Sequence, residues 1–237
     1  MIDLSTFTGA ATIELGVNDV AVNAASLAIS PDGKRLYIGH HEGVSEVDTV
    51  TRTVTRTLTS GSGFTHSGLA ASPDGRFLYS ATGNDVVRFA LSTGESKSTR
   101  VGGVHEVHVS PDGSRVYVRE DKRLRLLDAD SFDVQHQRND LHRNAKLAVH
   151  PDGTRLFLTQ GHTMNATTLE WSDEFTHASR VEEEPVRIAL SPDGTQSCTS
   201  SALKAVVTKT EGDDDPLVTD LPGNSYASAI AVATPIG

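Results

Sequence analysis

Apolar and polar positions along this chain follow one pattern that returns five times. A short apolar run ends at a polar turn: Ser26-Leu-Ala-Ile-Ser30, Gly68-Leu-Ala-Ala-Ser72, Glu106-Val-His-Val-Ser110, Lys146-Leu-Ala-Val-His150 and Arg187-Ile-Ala-Leu-Ser191. Pro-Asp-Gly follows each run, and a second apolar segment then carries Tyr37, Tyr79, Tyr117 or Phe157, with Cys198 in the last copy. The turns begin at 30, 72, 110, 150 and 191, so they lie 42, 38, 40 and 41 residues apart. A third segment such as Val44–Asp48 or Asp85–Leu91 leads through a polar turn to a fourth. The fourth alternates, as in Thr53-Val-Thr-Arg-Thr-Leu58, which is the signature of a strand with one wet face. Turn chemistry supports this reading: proline presets φ, aspartate bonds nearby backbone and glycine takes the positive φ. Asp32, Asp74, Asp112, Asp152 and Asp193 therefore read as turn formers rather than metal ligands.

Four strands per copy at this period predict an all-β chain, a β-propeller in which each blade buries its core only by stacking on its neighbours. The five full copies, centred on 30–38, 72–80, 110–118, 150–158 and 191–199, make five blades. Residues 2–13 read as a C–D turn followed by a strand D, and Ser228–Ala233 as a strand A. Residues 1–16 plus 225–237 then form a sixth blade closed by both termini, three-stranded if its strand B is missing. The expectation is one domain over 1–237, with six blades. The alternative is a piece of a longer propeller.

Ser-Pro-Asp-Gly-x-x-Leu-Tyr-Ile followed by Val-Asp-x-x-Thr resembles the bacterial YVTN-type repeat of YncE-like and lactonase-like propeller proteins. The segment Ile2–Ile13 is similar to the second half of that repeat. Blade five departs from the pattern at Thr195-Gln-Ser-Cys198, and the sixth lacks the Pro-Asp-Gly turn. The resemblance covers nearly the whole chain and implies the propeller fold. Its members range from sugar lactonases to binding and cell-surface proteins, so it implies no single activity. No catalytic motif of those enzymes matches here residue by residue.

Charge and composition narrow the partners. Lys+Arg number 21 against Asp+Glu 31, a formal net charge of −10, which argues against nucleic acid and anionic membranes. A single cysteine excludes an internal disulfide or a Cys-based zinc site, and Cys198 stands where the other copies have a core aromatic. No segment approaches the roughly 18 apolar residues of a membrane span, and Met1–Gly9 has no signal-peptide pattern. The expected location is the cytoplasm, or outside the cell if the sequence has been trimmed. The acidic run Gly212–Pro216 reads as a solvated turn.

Candidate chemistry gathers where the D–A and B–C connections of a propeller meet, at the mouth of its channel. Six of the ten histidines fall there: His40, His41, His66, His105, His142 and His162. Four positions before each turn's Ser or His, the repeats carry Ser26, Gly68, Glu106, Lys146 and Arg187. This column brings one carboxylate near two cations, either as an ion-pair brace or as an anion-binding or acid/base cluster. Two residues on, His108 replaces the alanine of every other copy and shares a face with Glu106. Glu106, His108 and His105 are the acid/base candidates, and Lys146, Arg187, His66, Asn144, Glu184 and Asn23 the ligand-binding ones. No cofactor is expected. A divalent metal held by His66, His105 and Glu184 is the weaker possibility. Two functions compete: a module that binds a small polar or anionic ligand or a partner loop, and a small-molecule enzyme. The enzyme would be a lactonase-like hydrolase or an acid/base lyase, cyclase or isomerase.

Overall fold

The turn that ends each first strand is a small hydrogen-bonded unit. In the first copy Ser30 Oγ donates to Asp32 Oδ1 at 2.6 Å and accepts the Arg35 N–H at 2.9 Å. Asp32 Oδ1 also takes the Lys34 N–H at 3.0 Å, and Gly33 holds φ at 70°. Ser72–Asp74 and Ser191–Asp193 repeat the hydroxyl–carboxylate bond. The serine hydroxyl thus ties the aspartate to the next strand, beyond the aspartate–backbone bond that the sequence suggests. At Gly113 and Gly153 a Cβ would meet Cδ of Pro73 and Pro111 at 3.6 and 3.5 Å, an ordinary contact, so it is the positive φ of 74° and 73° that favours glycine there.

A computed structural model of the chain describes residues 2–3, 8–9, 26–61, 65–159, 161–174, 187–201, 204–210 and 217–220. At the start, β1 (Ile2–Asp3) pairs antiparallel with β2 (Thr8–Gly9), as a C–D turn requires. Blade one is β3 (Ser26–Ile29), β4 (Arg35–His40), β5 (Gly43–Asp48) and β6 (Val54–Leu58). Blade two is β7 (His66–Ala71), β8 (Phe77–Thr82), β9 (Asp85–Ala90) and β10 (Ser96–Arg100). Blade three is β11 (Glu106–Val109), β12 (Arg115–Arg119), β13 (Leu124–Asp128) and β14 (Val134–Arg138). Blade four is β15 (Leu147–Val149), β16 (Arg155–Leu158), β17 (His162–Asn165) and β18 (Trp171–Glu174). Blade five is β19 (Arg187–Leu190), β20 (Gln196–Ser200), β21 (Lys204–Lys209) and β22 (Leu217–Asp220).

Each blade is one four-stranded sheet with its strands in chain order. The described residues hold five such sheets rather than six, and no helix. Apart from β1 and β2, the expected sixth blade lies outside the described residues, as does the acidic run 213–215. No described helix is long and apolar enough to cross a membrane.

The chain forms two compact units. The first is Met1–Val109, Gly113–Glu120 and Leu127–Asp133; the second is Ser110–Asp112, Asp121–Leu126 and Val134–Gly237. In the first unit, Tyr37 packs with Leu78, Val87 and Phe89 of blade two, and Tyr79 with Val107, Val118 and Phe132 of blade three. In the second, Phe157 packs with Ile188 of blade five. The strand-B aromatic therefore fills the seam to the following blade, where it removes the most apolar surface from water. Cys198 occupies that position in blade five at 7% exposure, and burial pushes its thiol pKa up. Such a thiol is an unreactive core group.

Candidate functional site

Glu106 opens β11 opposite Arg119, the last residue of β12. The Arg119 side chain is only 4% exposed and its Nε donates to Glu106 Oε2 at 3.2 Å. Arg119 Nη1 also donates to the Glu120 carbonyl. His108, on the same face of β11, brings Nε2 to 3.7 Å from Glu106 Oε2. Glu106 and His108 share a face without a hydrogen bond between them, which leaves the buried His108 Nε2 unsatisfied among the described residues, and the cation that engages the carboxylate is Arg119. The sequence carried a signal for it: opposite the top of strand A the other blades have Gly39, Ala81, Thr159 and Ser200, all short. A long basic side chain there needs a carboxylate, because an unpaired buried guanidinium is costly.

Lys146 and Arg187 belong to the second unit. The Lys146 backbone bonds Thr159 through the latter's hydroxyl and N–H, both at 3.1 Å. Arg187 opens β19 opposite Ser200. Asn144 is exposed, whereas Asn23 and Glu184 lie outside the described residues.

The loop histidines divide by environment. His66, expected at the mouth, is 2% exposed, with Nδ1 2.7 Å from Ser80 Oγ. Burial, reinforced by His40, lowers its pKa to about 4. His40 is fully buried with Nε2 2.9 Å from Ser45 Oγ, and burial lowers its pKa as well. Both are neutral core residues satisfied by a serine. His105, proposed beside His66 as a metal ligand, is exposed, and its backbone N–H bonds the Arg119 carbonyl. Among the described residues no three His, Cys, Asp or Glu groups converge as a metal site would require. His150 takes the place of the turn serine: Nδ1 lies 2.8 Å from Asp152 Oδ1 and Nε2 3.2 Å from the Gly194 carbonyl.

His142 and His162 sit differently. Both are exposed and line a cavity of about 620 Å³ within the second unit. Its floor and one side are apolar, from Leu141, Leu158 and the indole of Trp171. Lys122, Arg143 and Asp140 complete the wall. The backbone positions these groups economically. Leu141 N–H bonds the Lys122 carbonyl at 3.1 Å, fastening the connection after β14 to the β12–β13 hairpin. The turn His142–Ala145 closes with a backbone bond at 3.0 Å, and a register shift in β17 lies between His162 and Met164. The rings of His162 and Trp171 meet edge to face at 5.4 Å.

Asp140 is already committed. Arg138 Nη2 donates to its Oδ2 at 2.8 Å, Arg138 Nε lies 2.6 Å from its Oδ1, and Trp171 Nε1 reaches Oδ2 at 3.3 Å. The Arg138 bond chiefly, with the indole bond assisting against burial, holds the Asp140 carboxyl below its ordinary range. The Arg138 guanidinium also covers the indole at 4.7 Å from the ring centre. Arg138 and Asp140 therefore fix Trp171 rather than add net charge to the wall. Arg143 faces Asp121 at 3.7 Å with both side chains exposed, so that pair is a weak surface contact.

Neither a family model nor a curated protein matches this chain. Among solved structures, hydrazine synthase from Kuenenia stuttgartiensis is similar, with a TM-score of 0.66 and 19% identity. The match covers 90% of this chain and 71% of that one. This chain has a β-propeller fold. At such identity the likeness carries the propeller architecture and nothing of the neighbour's chemistry. As many as 1303 solved chains match, which is what a widely reused scaffold gives, so function has to be argued from the cavity.

Proposed function

We propose that this propeller is a binding module for a small polar or anionic ligand, held at the loop end of its blades. The observation that carries the reading is the cavity of about 620 Å³ with Lys122, Arg143, His142 and His162 on its wall. Its size falls within the range of small-molecule sites, and convergent polar groups above an apolar floor are their usual composition. The acid/base alternative has less support, because the Glu106 carboxylate that would move a proton is engaged by Arg119. The YVTN-type resemblance, a single domain over 1–237 and a sixth blade closed by both termini belong to the same proposal.

The test is a thermal-shift screen of the full chain against small polar and anionic metabolites, repeated on the Lys122→Gln/Arg143→Gln variant. A ligand that raises Tm saturably in the parent and less in the variant supports the reading. Hits that stay unchanged in the variant place binding elsewhere and overturn it.

A further inference from the structure

We infer that the cavity takes an organic anion with a flat apolar body: a carboxylate or phosphate joined to a ring. This rests on the binding reading above and names the ligand class for that site. Three observations lead to it.

The first is the charge balance of the wall. Among the described lining residues Asp140 is the one carboxylate, and both of its oxygens face Arg138 or the Trp171 N–H. A ligand cation would have to displace Arg138 to reach it. Lys122 and Arg143 add two exposed cations to the lining, and the 3.7 Å contact between Arg143 and Asp121 is solvent-screened, so an incoming anion can compete with it. The asymmetry selects negative charge.

The second is the polarity of the imidazoles. His142 Nδ1 accepts the Asn144 N–H at 3.4 Å, which leaves Nε2 as its hydrogen-bearing nitrogen. Together with the ammonium and guanidinium groups, the wall is rich in donors, as an oxyanion requires.

The third is the floor. Leu141 and Leu158 are buried, while Trp171, 38% exposed, is anchored by the Arg138 and Asp140 contacts. A preorganised aromatic wall over aliphatic carbons favours a flat apolar body, since little side-chain freedom is lost on binding. Bare inorganic phosphate would engage the donors and leave the floor wet.

Trp171 is the chain's one tryptophan, so its fluorescence reports on this cavity without a label. The full chain is titrated with phenylacetate and phenyl phosphate, with phenylacetamide as the uncharged analogue and inorganic phosphate as the anion without a body. The expected result is a saturable change in emission with both aryl anions, each bound at least about tenfold more tightly than either control. Lys122→Gln/Arg143→Gln should weaken the aryl anions about tenfold toward the amide. Both positions are exposed, so folding is preserved and is checked by circular dichroism. Phenylacetamide matching phenylacetate, or inorganic phosphate matching phenyl phosphate, overturns the ligand class while leaving the cavity a binding site. Silence of Trp171 toward all four probes also overturns it. If the thermal-shift hits are then unaffected by the double variant, the binding reading falls too.

Discussion

His40 and His66 in blades one and two, and His142 and His162 at blade four, all lie in or next to the loops between strands. The first pair is buried against serine hydroxyls, and the second is exposed on a cavity wall. What separates them is the strand beside them. Blade two has Ser80 in a column that reads Ile38, Val118, Leu158 and Thr199 elsewhere, and Ser45 stands where blade two has Val87. A serine beside the imidazole supplies the partner that a buried histidine needs. Blade four has Leu158 there, which leaves its histidines no partner in the core and a reason to face outward. A histidine's position in a repeat therefore says less about its role than the polarity of the neighbouring strand.

The contrast is open to measurement, and acid should expose it most strongly. The pKa of His66 lies at about 4 in the folded chain against an ordinary 6.5. The unfolded chain binds the proton more readily, so stability should fall as pH drops from about 6.5 toward 4, by on the order of 3 kcal/mol in full. Chemical denaturation across that range should show the loss, and His66→Gln should shrink this arm of the curve, leaving the smaller share that belongs to His40. A parent whose stability is flat from pH 6.5 to 4 would break the division into buried and open histidines.

Glu106→Gln comes next. It strips the charge partner from a nearly buried Arg119 and should cost about 2 kcal/mol, with Arg119→Met in the same chain recovering much of it. An unchanged melting temperature would return Glu106 to the acid/base candidates.

A smaller effect is expected at the turn of blade four. Burial pulls the Asp152 carboxyl upward, but bonds from Thr154 and His150 outweigh it and hold the pKa at about 2. Its contribution is complete above about pH 4 and is lost as pH falls toward 2. Because the carboxylate is 46% exposed, solvent screening limits that contribution to below about 1 kcal/mol. The melting curves of the parent and Asp152→Asn should converge at the acid end. Last, Lys122→Gln should move stability by less than about 0.5 kcal/mol while weakening aryl-anion binding. A large stability loss there would make the cavity wall a brace like the others.

The fold was legible because it is written in local chemistry. Ser-Pro-Asp-Gly fixes each reversal, the aromatic of strand B marks the seam, and strand D advertises its wet face. The placement of Glu106 and His108 could also be read, since alternation along one strand puts them on one face. The cavity could not. Lys122, Arg143, Leu158 and Trp171 come from two hairpins, a connecting loop and an outer strand, at no fixed spacing, and only the fold brings them together. The one hint lay in β18, where a tryptophan opens a strand whose counterparts β6 and β10 are dominated by Thr, Ser and charged residues. Arg119 was missed for another reason: its column holds short side chains in the other repeats, a signal that gains meaning only when the residue across the ladder, Glu106, is read with it.

The seam aromatics also govern how the chain reaches this state during synthesis. Tyr79 emerges with its own hairpin, whose turn can close from local hydrogen bonds alone. The ring, however, is covered by Val107 and Val118 of the next repeat, which leave the ribosome later. Each newly made blade thus presents an apolar side until its successor arrives, and maturation runs from the first repeat toward the last. A pause in translation before Val107 and Val118 have emerged would leave Tyr79 uncovered; a later pause would shield Tyr79 and pass the exposure on to the blade made last.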